Sequence, residues 1–478
     1  MNWALADPLA LLAFVLLGVA AVAFTGALLT RRVWLAVVGT VVGAPTCFVL
    51  SFLYVVMPGL AVVAVTVANL FSAWMLSRGR RLVAATLLLP FVAVVPLTPI
   101  TVDLVVRENT PNASLGDLDG DGDVDIVLAK GRHYPMVNVV LLNDGKGKYE
   151  QHDLSDTADR SYSVPLSDLD GDGDLDIVVG NDDPDAKLVY FNDGKARFTM
   201  AGSFGHADWD ARNVILSDLN GDGRADIVVP TRRGPNGQSE NYICLNDGQG
   251  HFPSCRVLSI GSTSRIAAGD LTDDGAPDLV VPSDTGGQSY VFINDGQGGF
   301  DQGRPFGATV ATRAIALGDL NGDERVDIII GSDAGGASVY FNQGGAVFSD
   351  GVPVGERTDF IDAIEVADLN NDGRADIALA NGYRPWKWTA VTRSCTRSCG
   401  AVLLNNGSGH AFTALRLGDK QGDVRGLAIG DVNGDGYPDI VAARSGAPSM
   451  LYLNSLLGTA RPRDGTNLPW QRLTDSDR

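Results

Sequence analysis

The stretch Asp117-Leu118-Asp119-Gly120-Asp121-Gly122-Asp123-Val124-Asp125, followed by the apolar run Ile126-Val127-Leu128, decides the reading of this chain. It returns six more times, in copies that begin at Asp168, Asp218, Asp270, Asp319, Asp368 and Asp431. The copies lie about 50 residues apart, with one longer step before the last, so a single repeated unit builds everything from about residue 110 onward. The spacing has a chemical reason. Side-chain oxygens at loop positions 1, 3 and 5, a main-chain carbonyl at position 7 and a carboxylate at position 9 can wrap one hard cation, and Gly at position 6 permits the turn. Helices bracket the familiar twelve-residue calcium loop. Here each loop runs instead into a short β-branched segment such as Asp176-Ile177-Val178-Val179 or Asp226-Ile227-Val228-Val229, which predicts strands.

The candidate ligand sets follow position by position. They are Asp117, Asp119, Asp121, Asp123 and Asp125 in loop one; Asp168, Asp170, Asp172, Asp174 and Asp176 in loop two; and Asp218, Asn220, Asp222, Arg224 and Asp226 in loop three. Loop four offers Asp270, Thr272, Asp274, Ala276 and Asp278, and loop five Asp319, Asn321, Asp323, Arg325 and Asp327. Loop six offers Asp368, Asn370, Asp372, Arg374 and Asp376, and loop seven Asp431, Asn433, Asp435, Tyr437 and Asp439; the seventh position contributes its carbonyl throughout. Thr272 at position 3 weakens loop four. Glu324 stands where Gly is wanted in loop five, and a left-handed backbone is unfavourable for it, so that site ranks last. Five to seven Ca2+ ions are the expected cofactors.

These residues resemble the FG-GAP/VCBS repeat, the unit of the integrin α-chain propeller and of many bacterial surface proteins. The resemblance covers about three quarters of the chain and implies that each repeat is a blade and that seven blades close a ring. The third unit shows the strands: Asn213–Leu216 into the loop, Asp226–Val229 out of it, Asn241–Leu245, the turn Asn246-Asp247-Gly248-Gln249-Gly250, and a fourth strand from His251-Phe252. Four strands in about 50 residues make a propeller blade. The expected fold is an all-β seven-bladed β-propeller over 101–460, preceded by a helical transmembrane region over 1–100 and followed by a tail over 461–478. Ring closure normally shares one blade between the chain ends, since an open edge would be left unpaired. Thr101–Arg107 and Trp470–Leu473 are the two candidates for the missing strand.

The first hundred residues are a different material. Apolar runs predict four membrane helices, at 9–29, 33–55, 59–77 and 82–102, with Met57-Pro58-Gly59 dividing the second from the third. Arg31 and Arg32, then Arg78, Arg80 and Arg81, both fall in odd-numbered connections. The positive-inside rule puts both clusters in the cytoplasm and the repeat domain outside it, in the periplasm or at the cell surface. Asp7 and the lack of an early Lys or Arg argue against a cleaved signal peptide. The spans carry no internal charge, which argues against transport. Cysteine use suits an oxidising compartment: Cys244 with Cys255, and Cys395 with Cys399, are the expected disulfides, while Cys47 sits in a span.

A formal charge of −20 excludes nucleic acid as partner, and much of it sits in the repeated loops, where divalent cations would offset it. By resemblance, the face opposite the calcium loops is the one that binds. Its longest loop is in blade six, where Tyr383, Trp386 and Trp388 are suited to stack on a sugar or an aromatic side chain, or else pack the insertion. An Arg stands six residues before the first loop acid in three blades: Arg212, Arg313 and Arg425. These either ring the channel mouth and attract an acidic ligand, or cap neighbouring carboxylates and carbonyls. Asp362 takes the place in blade six. No nucleophile elbow, zinc-protease helix or phosphate loop is present. His251 and His410 occupy equivalent hairpin positions, and His133, His152 and His206 are scattered. The functional expectation is a membrane-anchored binder of an extracellular glycan or protein, in adhesion or envelope organisation. A lyase or hydrolase acting on an acidic polysaccharide, and a sensor domain, are the rivals.

Overall fold

The structure, a computed structural model, describes residues 109–454 and 470–472 apart from 147, 233–238, 334–335, 356–359, 383–399 and 418–421. The four expected spans, the closing candidate Thr101–Arg107, the ligand candidates Tyr383, Trp386 and Trp388, and the pair Cys395 and Cys399 lie outside the described residues. Among the described residues no helix is long and apolar enough to cross a membrane.

Each repeat folds as an antiparallel sheet whose strands follow chain order, and there are seven sheets among the described residues. Blade 1 shows the pattern with Asn112–Gly116 innermost, then Asp125–Ala129, Val139–Asn143 and Tyr149–Asp153 at the rim. Blade 2 carries one strand more, because Ser161–Ser163 and Leu166–Ser167 share the innermost position. Pro165 lies between them and has no N–H with which to continue the ladder.

The second strands are buried throughout except near their ends at Ser332 and Asn381, and their alternation explains the unbroken apolar runs. In Asp226–Val229, Ile227 and Val229 pack toward blade 2 while Val228 packs toward blade 4. A strand covered on both faces has no polar side to show. The described core is accordingly seven clusters, each between two neighbouring blades. The cluster that closes the ring joins Ala113, Ile126 and Leu128 to Val432, Val441 and Ala443.

A polar interlock accompanies each of these clusters. Asp226, at position 9 of loop three, accepts the Leu219 N–H at 3.0 Å and the Asn246 N–H at 2.8 Å. Asn246 begins the Asn-Asp-Gly turn, and its Nδ2 donates to the Ala225 carbonyl at 3.2 Å and to the Leu169 carbonyl of the preceding blade at 2.9 Å. The same four bonds recur in every blade. In blade 1 the donor is Asn143 and the acceptor is the Val432 carbonyl of blade 7, at 2.7 Å, so the interlock passes around the whole ring.

Three expectations change. The fourth strand of blade 3 begins at Cys255 instead of His251, because Asp247 N–H donates to the His251 carbonyl and holds that segment in the hairpin turn. Cys244 and Cys255 then face each other across the pair and form the expected disulfide. Trp470–Arg472, from the second of the two closing candidates, pairs with Met450–Tyr452, so part of the expected tail is the rim strand of blade 7. No blade is shared between the described ends; the seam between blades 7 and 1 is sealed by the apolar cluster, the Asn143 bond and a Thr110 N–H to Arg444 carbonyl bond of 3.0 Å.

The acidic loops need two left-handed residues each, at positions 4 and 6, where the sequence reading asked for one. Position 4 is Gly in five loops, Asp273 in loop four with φ 62° and Asn371 in loop six with φ 54°. Position 6 is Gly in six loops and Glu324 in loop five, with φ 66°. Asn and Asp tolerate this region best among residues with a Cβ, and Glu does not. Glu324→Gly is expected to stabilise the fold by about 0.5–1 kcal/mol, as relief of strain exceeds the added chain entropy. Asn294→Ala would orphan the Leu219 and Pro277 carbonyls. It is expected to cost about 2–4 kcal/mol. Denaturant unfolding of the two variants beside the parent measures both.

Candidate functional site: acidic loops and an arginine-lined channel mouth

The innermost strand of each blade ends in an acidic loop. Within it, the position 1 carboxylate is already a hub for backbone donors: Asp218 accepts Gly221 N–H and Gly223 N–H, both at 2.8 Å. Apart from Thr272, the side chains at positions 3 and 5 accept a backbone N–H two residues on, as Asn220 Oδ1 does from Asp222 at 3.0 Å and Asp222 from Arg224 at 2.8 Å. In loops one and two, carboxylate oxygens of Asp117, Asp119 and Asp125, and of Asp168, Asp170 and Asp176, all lie within 4.8 Å of one another. Three converging carboxylates suit a hard divalent cation. In loops three, five, six and seven the position 3 residue is Asn, whose Nδ2 donates to the position 5 carboxylate, as Asn220 does to Asp222 at 2.9 Å.

Arginines at position 7 set the loops apart further. Arg325 bonds Asp323 of its own loop at 3.1 Å, Arg374 lies 3.6 Å from Asp372, and Arg224 reaches 3.8 Å to Asp168 of the preceding loop. Each guanidinium would compete with a cation for the same oxygen. Loop four keeps one notable group: the Thr272 hydroxyl at position 3 is buried with no hydrogen-bond partner among the described residues. An orphaned buried oxygen in the ligand position fits a cation that would coordinate it. The position 9 aspartates are fully buried, and burial pushes six of them from 3.8 up to about 6, against the pull of their two backbone donors; Asp278 moves the same way.

At the other end of the innermost strands lies a cavity of about 60 Å³. The residue six places before the first loop acid lines it in every blade: Pro111, Tyr162, Arg212, Ser264, Arg313, Asp362 and Arg425. Arg132, Arg232 and Arg265 join them. The ring of three arginines read from the sequence is therefore part of a larger set, and β-bulges are the reason. The ladder skips one residue between Ser161 and Ser163, Thr312 and Ala314, Ile361 and Ala363, and Val424 and Gly426. The skipped residues are Tyr162, Arg313, Asp362 and Arg425. A bulge frees its residue from the ladder and turns the side chain aside, here toward the mouth.

The arginines are also paired with carboxylates. Arg212 bonds Asp182 at 2.7 Å and Asp210; Arg313 bonds Asp333 at 2.5 Å; Arg425 bonds Asp362 at 2.7 Å and Asp423; Arg232 lies 3.1 Å from Asp284. These partners are not the acidic-loop carboxylates but acids of the opposite face. Burial and the neighbouring Asp182 push Asp210 up to about 7. His133, which the sequence left scattered, stands at the mouth 3.8 Å from Asp182 and 3.4 Å from the Tyr162 hydroxyl. His251 and His410 pack on Phe191 and Phe341, in keeping with their equivalent places in the repeat.

The FG-GAP-like repeat matches residues 117–179, 168–229, 270–330 and 319–379, and the FG-GAP repeat matches 424–455, together more than half of the chain. No curated protein matches it. Among solved structures, the BP39L lectin from Burkholderia pseudomallei superposes with a TM-score of 0.51 at 12% identity, over 72% of this chain and 95% of that one. BBS1N in complex with ARL6DN superposes with a TM-score of 0.46 at 15% identity, over 71% of this chain and 89% of that one. At such identities the likeness to the lectin speaks to the fold. Its repeats and their ring place this chain in the FG-GAP repeat family, as a seven-bladed β-propeller with four-stranded blades.

Proposed function

We propose that the chain is a membrane-anchored, extracytoplasmic propeller that binds calcium in its acidic loops and holds a glycan or protein ligand on the opposite face, in adhesion or envelope organisation. The observation that carries the binding reading is the channel mouth. Seven blades interlocked by buried hydrogen bonds form a rigid frame, and the frame departs from regular ladder pairing where four bulges turn side chains toward one cavity. Functional groups are commonly displayed in this way on a scaffold that does not itself move. The anchor rests on the four apolar runs of the first hundred residues and their arginine clusters.

Calcium rests on the converging carboxylates of loops one and two and on the orphaned Thr272 hydroxyl. Asp117, Asp119 and Asp125, with Asp121 and the Asp123 carbonyl, would hold the first ion, and their counterparts in loop two the second. Loops three, five and six come lower, since their position 7 arginines compete. In the full-length chain, purified in detergent, excess calcium is expected to raise the thermal unfolding midpoint well above its value in chelator. An unchanged midpoint would sink the calcium assignment. The pH response in chelator has a definite sign. Between about pH 4 and pH 6 the folded state keeps protons on the position 9 aspartates that the unfolded state releases, so this contribution to stability is present at the acid end and lost as pH rises through 6. The chelator midpoint is therefore higher at about pH 5 than at about pH 7.5, and calcium closes that gap by stabilising the ionised carboxylates.

Binding is tested by presenting the same preparation, in calcium, to immobilised glycans and to envelope proteins. Saturable binding without chemical change in the ligand is the expected outcome. New reducing or unsaturated ends in a bound polysaccharide would instead mark an enzyme.

A further inference from the structure

Six guanidinium groups surround the mouth cavity, and Asp362 supplies the one carboxylate in its wall among the described residues. The other acids that pair with these arginines do not line it. A carboxylate engages one edge of a guanidinium, which has five N–H donors in a planar fork, so an arginine held on one edge still offers donors on another. Arg132 and Arg265 differ from the rest, because among the described residues neither makes an ion pair with a carboxylate. Arg265 donates to the main-chain carbonyls of Asp362 at 3.1 Å and Arg425 at 2.9 Å. Arg132 lies 5.9 Å from the centre of the Tyr162 ring, which Arg212 also approaches, at 4.3 Å. The Nε–H of Arg425 is buried without a partner.

A buried cation with no carboxylate of its own, as Arg132 and Arg265 are among the described residues, is costly. Burial lowers the pKa of both Arg132 and Arg265; the nearby Arg425 lowers that of Arg132 further, while Glu365 and Asp362 partly offset the effect at Arg265. An anion entering the cavity would relieve both the desolvation and the mutual repulsion. At about 60 Å³ the space suits a few waters or one oxyanion group, and not a sugar ring.

We propose that the channel mouth is an oxyanion site, in which Arg132, Arg265 and Arg425 receive a carboxylate, sulfate or phosphate group, free or borne by a larger ligand. This deepens the binding reading above and rests on it. Guanidinium forks match all three groups, and the bulges at Tyr162 and Arg425 fix where two of the walls stand.

The test is titration calorimetry of the full-length chain in detergent at constant ionic strength, with sodium sulfate, phosphate and acetate in turn and chloride as reference. At least one oxyanion is expected to bind saturably and to raise the unfolding midpoint, and the order among them identifies the group. Arg132→Ala breaks no ion pair and is expected to weaken that binding by about tenfold or more while leaving the midpoint in chloride unchanged. If that variant is itself destabilised, Arg132→Lys keeps the charge and removes the fork, and weakened binding in it supports the site. No saturable binding by any of the three, or binding indifferent to both Arg132 variants, overturns the proposal. A glycan or protein ligand whose binding ignores added oxyanion and Arg132→Ala would leave the broader binding reading standing and remove this site. An oxyanion that binds at Arg132 where no macromolecular ligand is found would do the reverse.

Discussion

A carboxylate that is fully buried at position 9 of every acidic loop is the constraint on which this propeller depends. Taken out of water, it must have its oxygens satisfied. It takes one donor from the loop's second residue, which fixes the loop, and one from the Asn that opens the hairpin turn, which ties the second strand to the third. That Asn then spends its amide on two carbonyls, one of them in the preceding blade. Asp and Asn together thus define the loop, the blade and the contact between blades. No hydrophobic substitute could perform all three, since removing either partner leaves buried backbone groups unpaired.

Two motifs that look separate in the sequence are therefore the two ends of one device. The acidic loop and the Asn-Asp-Gly turn were both legible as repeats, and from them the blade count, strand order, second strands and hairpins could be read. The disulfide between Cys244 and Cys255 was legible as well. The interlock itself was not, because a carboxylate at the end of a ligand-spaced loop reads as a ligand, and only burial reveals that Asp226 is first a structural acceptor. The mouth was half legible. Arg212, Arg313 and Arg425 stood out by charge, while Tyr162, Ser264 and Pro111 occupy the same place without any chemical signature. A bulge depends on the register between two strands, and a single strand's sequence does not show it. The final strand was legible only as one of two candidates, because Trp470–Arg472 is short and follows a long connection.

The strongly negative formal charge of the chain is also unevenly placed. Each innermost strand begins near the arginines and ends in an acidic loop, so a short run of backbone separates a basic lining from an acidic rim. The two ends meet different demands. Acids at the loop end act through backbone donors and their own convergence, whereas arginines at the mouth are held by acids of their own face, such as Asp182 and Asp333. Neither group neutralises the other.

The bulged residues at the mouth have one further property. Tyr162, Arg313, Asp362 and Arg425 have no counterpart in the strand ladder, so the side chain at each takes no part in register, and between blades they meet one another or their neighbours only at the mouth, as Arg425 does Asp362. Such positions can be exchanged without shifting the strand ladder that carries them, provided that paired charges such as Asp362 and Arg425 change together. The fold thereby separates what it must keep from what it can vary. Selectivity at the mouth can drift, a residue or a coupled pair at a time, from basic to acidic or aromatic, while the interlocked ring beneath it is inherited intact.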